Sequence, residues 1–563
     1  MKATIGLPRP AKPGELVSLD CEMFGMQKPH RADGTFAALS VAYPTGELFV
    51  ITDQNDIREA LKRVSAGRWV FHNALFDLRI LRRYASVRQR QVLDTMICEQ
   101  DLFGGWYNRF DLANAARRWL GEQLSKGVRE QFISTQTLTP EMIEYAASDA
   151  WATVRIAQKQ LDYIEEEEDG KFNWYYDIDE PMIWVALDMP GIRVDVGAWR
   201  KQNVLHEAKA RAIEKELELN VMSRDQVVSL LHELGLRGFK KTDAGNDSAG
   251  KVFLQQSMER AQVSGEKRLA EALNMILTAR MYRKAVSTYG DTWLDANVEE
   301  DGRVYPSWKI TGAETGRMAC SDPNLQQIPA RDLPIYRSFF LASPGHRLLI
   351  GDVNQQEPRF SAWMSGDKTL QREILDGIDL HMVAADLFHI KGANRRRKGK
   401  DINLGLNYGM SAMGLAARVG ISLEEAEMGL RERQMHYRFM HAWQDRMQRQ
   451  AERLYKVRTA SGRPVWVNPY EIHGGWRRNA INGPIQGSAA DQTKMAAVLY
   501  AKEYKAPLLI VHDEMADNVP SGEMRKARRT MNDAWIEAGR HLIADMPVEV
   551  SMASGSNWGA KES

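Results

Sequence analysis

The sequence predicts a multidomain chain of mixed α/β and α+β class. Three observations carry that prediction. At 563 residues, 44% apolar and 26% charged, the chain is long enough to build several hydrophobic cores. Short apolar runs that end in carboxylates occur in two distant regions, Leu16–Met23 near the start and His346–Val353 with Leu508–Glu514 in the second half. Between them, residues 199–235 and 252–290 read as two long amphipathic helical regions.

Composition excludes more than it assigns. A formal charge of +1, from 75 basic and 74 acidic residues, shows no global basicity. Binding of a polyanion therefore has to rest on local clusters: Arg395–Lys400, Arg477-Arg478 and Lys240-Lys241. The three cysteines, Cys21, Cys98 and Cys320, have no metal-type spacing and an odd count, which suits a reducing cytosol. Met1–Glu15 has no apolar core of the signal-peptide kind, and no run approaches transmembrane length, so a cytoplasmic protein without a membrane partner is expected.

Taken in order, Leu16–Met23 reads as a strand in which Asp20 and Glu22, two apart, share one face while Cys21 points away to pack. Residues 70–80 (VFHNALFDLRI) are expected to carry Asn73 and Asp77 on a helix. Thr139-Pro140-Glu141 opens another helix, with a cap, proline at its first position and an early acid, and that helix carries Tyr145 and Asp149 one turn apart. Four acids able to converge, Asp20, Glu22, Asp77 and Asp149, make no sense as a core, because buried carboxylates need partners. Two divalent metals would be those partners. Glu165–Asp169 (EEEED) with Gly170 then reads as the exit from this first unit. The two helical regions that follow are separated by the polar loop Lys240–Lys251.

In the second half, one apolar strand ends at Asp352 and another at His512-Asp513-Glu514. Two aspartates from adjacent strands of one sheet suit a pair of Mg²⁺ ions about 3.5–4 Å apart, the arrangement of phosphoryl transfer. Residues 395–410 lie between them and read as a helix with Arg396, Lys400, Leu404 and Tyr408 on one stripe, Gly409 being its stop. Two cations a turn apart suit a polyphosphate, and an aliphatic group followed by a ring offers a surface to a sugar and a base.

These blocks resemble the family A DNA polymerases, the class of bacterial DNA polymerase I and many phage replicases. Asp352-Val-Asn-Gln-Gln-Glu357-Pro-Arg359 is similar to the first catalytic motif, Arg396 through Gly409 to the fingers helix, and Val511-His-Asp-Glu514 to the second carboxylate motif. Thr315-Gly-Arg317 with Ser321-Asp-Pro-Asn-Leu-Gln326 resembles the primer–template motif, and Arg478 to Gln486 a further helix that contacts nucleic acid. Asp20-x-Glu22, Asn73-x-x-Phe76-Asp77 and Tyr145-x-x-x-Asp149 resemble DEDD exonucleases in their tyrosine-bearing version. The resemblance implies an RNase H-like 3′→5′ exonuclease domain over 1–175, then a right-hand polymerase domain over 176–563. Within the latter it implies a thumb over about 181–310, a palm over about 311–379 and 481–563, and fingers over about 380–480, with no stretch left for a 5′-nuclease domain ahead of Asp20.

The resemblance also implies roles. Asp352 and Asp513 would hold the metals of synthesis, with Glu514 and Lys400 assisting catalysis. Arg396, Lys400, Leu404, Tyr408, Glu357, Gln355 and His381 would bind the incoming nucleotide, Glu357 crowding the sugar 2′ position. Arg317, Asn324, Gln326, Arg478, Asn482, Gln486 and His512 would contact DNA. Asp20, Glu22, Asp77 and Asp149 would hold the metals of excision, and Tyr145 would orient the attacking water. Two Mg²⁺ per site, replaceable by Mn²⁺, primer–template DNA, dNTPs and a single-stranded primer end are the expected ligands. A phage-type monomer without a thioredoxin-type clamp is the expected state. Four departures bear on selectivity: Gln356 and Pro358 replace an isoleucine and a leucine, Asn354 replaces a serine, and Leu404 stands where an aromatic ring is usual. Gln356 then needs a hydrogen-bond partner, while Pro358 fits the first turn of a helix.

Overall fold

The computed structural model describes residues 3–26, 28, 31, 33–87, 89–124, 127–239, 247–392, 394–407, 410–470 and 475–559. The first part of the chain forms a six-stranded mixed sheet from β1 (Thr4–Ile5), β2 (Leu16–Phe24), β3 (Thr35–Ala42), β4 (Leu48–Ile51), β5 (Arg68–Phe71) and β6 (Val92–Asp94), in the order β1-β4-β3-β2-β5-β6. β2 is antiparallel to β3 and parallel to β5. Along β2, Val17, Leu19, Cys21 and Met23 are buried in the main core, so Asp20 and Glu22 point to the other face, as period 2 requires. The helix Pro140–Glu167 covers that face. Its Ala147, Ala150 and Val154 pack on Ala38, Ala42 and Val50, and these small side chains let it approach the sheet closely. The helix starts as its sequence predicts, with Thr139 Oγ1 accepting from Met142 N at 3.2 Å and Pro140 at the first position.

Asn73 precedes its helix instead of lying on it. The helix spans Ala74–Tyr84, and Asn73 is left-handed with φ 77°. Asp94 imposes that conformation by accepting from the N–H groups of Asn73 and Ala74 at 3.1 and 2.7 Å.

The stretch after Gly170 packs back onto the first unit. Tyr175 Oη accepts from Asp94 N at 2.7 Å, Glu180 Oε1 accepts from Val92 N at 3.1 Å, and Trp184 Nε1 donates to Arg90 O at 3.0 Å. One buried core consequently runs from Ala11, ahead of β2, to Trp558 near the end of the described chain.

Each predicted helical region in the middle of the chain is two helices. Val196–Leu217 ends on left-handed Glu218, and Arg224–Glu233 starts again behind the Ser223 cap. Lys251–Ser264 ends on left-handed Gly265 before Lys267–Tyr289 begins. Val227, Leu231, Phe253, Leu254, Leu273 and Ile276 form a separate small core there. Part of the Lys240–Lys251 loop lies outside the described residues. The Lys251–Ser264 helix also reaches across to the next helical layer: Arg397 pairs with Glu259 at 2.5 Å, and Gln256 Nε2 donates to Ala417 O at 2.7 Å.

The second large sheet is antiparallel throughout, with strands Leu509–Val511, Glu514–Pro520, His346–Val353 and Val550–Gly555 in that order. Asp352 lies opposite Glu514 in the register. Among the described residues, no helix is long and apolar enough to cross a membrane.

Candidate active sites

Asp513 is not a strand residue. The strands Leu509–Val511 and Glu514–Pro520 form a hairpin whose two-residue turn is His512-Asp513, with His512 left-handed at φ 55°. The turn reaches the neighbouring strand end, where Val353 N donates to Asp513 O at 3.2 Å. Asp352 and Asp513 thereby come to line one cavity of about 1060 Å³ although they belong to segments 161 positions apart (513 − 352).

The same cavity gathers most of the predicted nucleotide-binding residues: Gln355, Glu357, His381, Arg396, Lys400 and Leu404, joined by Arg317 and His512. The helix Arg395–Asn407 presents Arg396, Lys400 and Leu404 to it from one stripe. Tyr408 and Gly409 lie outside the described residues. Arg396 is held by Asp379, Nε to Oδ2 at 2.5 Å, and Asp379 also caps the helix Leu380–Leu387. Burial, with Arg331 and Arg396 nearby, holds the Lys400 ammonium below the usual lysine range. Burial also lowers His381, against the pull of Asp379. Two cations focused on a cavity that also presents two aspartates make a site for an anion and its counter-cations.

Gln355 is left-handed at φ 54° and starts the helix Gln356–Ser365, which places Glu357 and Pro358 in its first turn. Glu357 accepts from Arg317 at 2.5 Å. The Gln356 amide has found its partners: Nε2 donates to Ala489 O, Gln492 Oε1 and Thr493 Oγ1 at 3.0–3.2 Å. Glu514, opposite Asp352, is buried and accepts from Trp558 Nε1 at 2.6 Å and from Arg337 at 3.3 Å. Burial, then Arg317, lowers His512.

Beside this cavity, Arg478, Asn482 and Gln486 line a groove with Thr315 and Trp466. They sit four apart on the helix Trp476–Glu503 and so share a face. Asn324 and Gln326 use their amides within the protein: Asn324 Oδ1 accepts from Gln326 N at 3.0 Å, and Gln326 Nε2 donates to Met318 O and Ile510 O. That bond braces the segment against the hairpin that carries Asp513.

In the first domain the four predicted acids converge. Asp77 is buried at the first turn of its helix and accepts from Cys21 N at 2.8 Å. Burial, then Asp77, Glu22 and Asp149, raises the Asp20 carboxyl well above the usual range. Burial, then Asp149, pushes Glu22 up to about 8. Burial raises Asp149 to about 6, although a hydrogen bond from Tyr145 opposes it. Asp20 Oδ2 is buried without a hydrogen-bond partner. Among the described residues no three His, Cys, Asp or Glu side chains close around a point as a finished cage. The acids are near enough to raise one another's pKa values without closing into such a cage. An orphaned carboxylate oxygen and four mutually repelling acids fit divalent cations.

The family model for DNA polymerase family A matches residues 198–560. The chain belongs to the family A DNA polymerases. A model for 3′-5′ exonuclease matches residues 9–164, so in this family A member an exonuclease domain precedes the polymerase domain. It is 29% identical over 544 residues to DNA polymerase I of Aquifex aeolicus, covering 89% of this chain and 90% of that one. It is 29% identical over 529 residues to DNA polymerase I of Chloroflexus aurantiacus (86% of this chain, 54% of that one). Against the thermostable DNA polymerase I of Thermus filiformis the figures are 32% over 452 residues, 74% and 52%. The chain thus spans about half the length of the latter two. Its fold is that of the POL domain of Pol1 from M. smegmatis, solved in complex with DNA primer-template and dNTP, with TM-score 0.83, 24% identity and coverage of 98% and 100%.

Sequence reasoning missed several residues of these sites. Arg331 lies near Lys400 and Asp379 holds Arg396, Arg129 is a cation that offsets the acids of the first domain, and Asp94 sets Asn73. None carries a motif; each arrives by tertiary proximity.

Proposed function

We propose that this chain is a DNA-directed DNA polymerase that extends a primer 3′ end with dNTPs and removes mispaired ends by 3′→5′ excision. The convergence of Asp352 and Asp513 with Arg396 and Lys400 in one cavity carries the reading. Asp352 and Asp513 would hold the metals of synthesis, and Asp20, Glu22, Asp77 and Asp149 those of excision. Mg²⁺, with Mn²⁺ as a substitute, would be the ion held, two per site, and would supply charge neutralisation at the phosphate and activation of the attacking oxygen.

The remaining work falls to the side chains. Arg396 forks onto the triphosphate, leaving Asp379, and Lys400 gives the leaving pyrophosphate a proton, to which its lowered pKa suits it. Gln355 and His381 complete the nucleotide contacts. Glu357 crowds the sugar 2′ position, Leu404 lies beside the sugar, and Tyr408 supports the base-pair pocket. Glu514 steadies the hairpin whose turn carries Asp513. Arg317, Asn482 and Gln486 feel the minor-groove edge of the new pair, where A·T and G·C place acceptors alike, so that fit is judged without reading sequence. Asn324, Gln326, Arg478 and His512 hold primer or template backbone. In excision Tyr145 positions the attacking water. The exonuclease domain is assigned to 1–175 and the polymerase domain to 176–563, with thumb, palm and fingers about 181–310, 311–379 with 481–563, and 380–480. The chain acts as a cytoplasmic monomer without a thioredoxin-type clamp, in genome replication, of a phage in the reading its motifs suggest. Incubation with a labelled primer–template, Mg²⁺ and dNTPs tests the proposal: a ladder of longer products is expected, and an unchanged or only shortened primer removes the polymerase reading.

A further inference from the structure

Arg463, in the turn between the short strands Lys456–Arg458 and Pro464–Trp466, is among the largest fully buried side chains of the described protein. It binds three carboxylates drawn from three regions. Its Nη1 donates to Asp101, on the helix Thr95–Phe103 of the exonuclease domain. Its Nη2 donates to Asp179, between the two matched domains, at 2.5 Å, and to Asp491, on the helix Trp476–Glu503, at 2.7 Å. Lys494 also donates to Asp179. All five side chains are at most 2% exposed. Such a cluster is a poor device for stability, since apolar replacements of buried ion networks are often as stable or more so. Its geometry offers another reason for it.

On one side the cluster leads to the polymerase cavity. A Cβ on Gly316 would lie 3.1 Å from Arg463 Nε and 3.2 Å from its Cδ, so the guanidinium forms the floor of the Thr315–Arg317 loop. Gly316 is left-handed at φ 78°, and its N–H closes the loop onto Ala313 O at 2.8 Å. Arg317 follows and binds Glu357. Asp491 also accepts from Thr459 and Ser461, and Gly487 of the same helix, next to Gln486, packs under Thr315 O. On the other side the cluster leads to the acids of excision. Asp101 lies in the last turn of a helix whose first turn is capped by Asp94, the residue that sets Asn73 and the start of the Asp77 helix.

We propose that Arg463 is a positioning residue which, through Asp101, Asp179 and Asp491, seats the primer-directed Thr315–Arg317 loop against the exonuclease domain and so sets how a primer end divides between extension and excision. This rests on the polymerase reading above. The planar fork is what the task needs, because a point charge on a flexible stem cannot span three carboxylates from one position.

Two variants of the full chain test it. Arg463→Lys keeps the charge and loses the fork. Asp101→Asn keeps the shape, and because the cluster holds three acids against two cations, it removes the unbalanced charge and leaves a foldable core. For each, kcat and KM for primer–template, excision of a single-stranded oligonucleotide, and amide exchange over 313–317 would be measured. The proposal expects KM for primer–template to rise about fivefold or more with kcat within about twofold. Excision of the single strand should change by less than about twofold, and a larger share of matched primer ends should be excised before extension. The Gly316 amide should exchange faster in Asp101→Asn, although Asp101 belongs to the other domain. Unchanged KM and unchanged exchange in folded variants would overturn it. So would a parallel fall of kcat and single-strand excision, the mark of a general structural role. Should the wild type fail to extend primers, the polymerase reading falls by itself, and the exchange at 313–317 still decides whether Asp101 and Arg463 seat the loop.

Discussion

Leu404 lines the cavity with Arg396 and Lys400, and has neither a hydrogen-bonding group nor an aromatic face to offer a sugar. A phenol at that position would replace the polar group that a dideoxynucleotide lacks. Leu404→Tyr in an excision-deficient background should therefore relax discrimination against dideoxynucleotides. A hydrogen bond worth about 1.5–3 kcal/mol corresponds to roughly 10- to 150-fold in the ratio of kcat/KM values. A ratio unchanged within about threefold would place sugar selection elsewhere. Glu357→Ala should raise ribonucleotide incorporation in the same assay, and unchanged discrimination would shift attention to Gln356. That glutamine shows what one residue discloses. Its need for partners was legible, because an amide sits where an apolar group is usual. The partners Ala489, Gln492 and Thr493 were not, being more than a hundred positions away. Gln356→Leu should lower stability by about 1–3 kcal/mol in urea unfolding, since it strands buried polar atoms; equal stability would mean that the pocket accepts a hydrocarbon.

At the scale of elements, strong local signals survived and weak ones did not. The helix Arg395–Asn407, the strand His346–Val353 and the start at Thr139-Pro140 agree with expectation because spacing and caps act locally. The His512-Asp513 turn was read as a strand end because it lacks the Asn-Gly or Asp-Gly signal of a two-residue hairpin. The break at Glu218 is equally silent, whereas Gly265 offers a stop signal that the reading of 252–290 as one helical region passes over. The convergence of β2, the Asp77 helix and the Tyr145–Asp149 helix has a consequence for stability. With Glu22 near 8 and Asp149 near 6, the folded state keeps protons that the unfolded chain has already released. Stability without divalent ions should hence be full below the unfolded values, about 4, and decline as pH rises toward about 8. Mg²⁺ binding to the folded state offsets that loss. The Tm gain on replacing EDTA by Mg²⁺ should be larger at about pH 8.5 than at about pH 5.5, and Glu22→Gln with Asp149→Asn should flatten the difference. Equal gains at both pH values would argue that these acids do not hold the ion.

The molecule as a whole shows what a linear reading cannot reach. The order of the motifs disclosed the exonuclease and polymerase domains and their sequence along the chain, because each set of motifs carries its own chemistry. The seam between the domains was invisible: Arg463 and Asp101 are 362 positions apart, and nothing in either segment announces the other. A continuous core runs across that seam, while the two carboxylate sets lie on separate elements on either side of it. Independence of two sites in one chain is the central claim, and a labelled matched primer–template tests it with wild type, Asp20→Ala/Glu22→Ala and Asp513→Ala, each in Mg²⁺ with and without dNTPs. Wild type should lengthen the primer when dNTPs are present and shorten it when they are absent. The double variant should lengthen without ever shortening, and Asp513→Ala should shorten without ever lengthening. Loss of both activities in either folded variant, or extension at the normal rate by Asp513→Ala, would contradict the account.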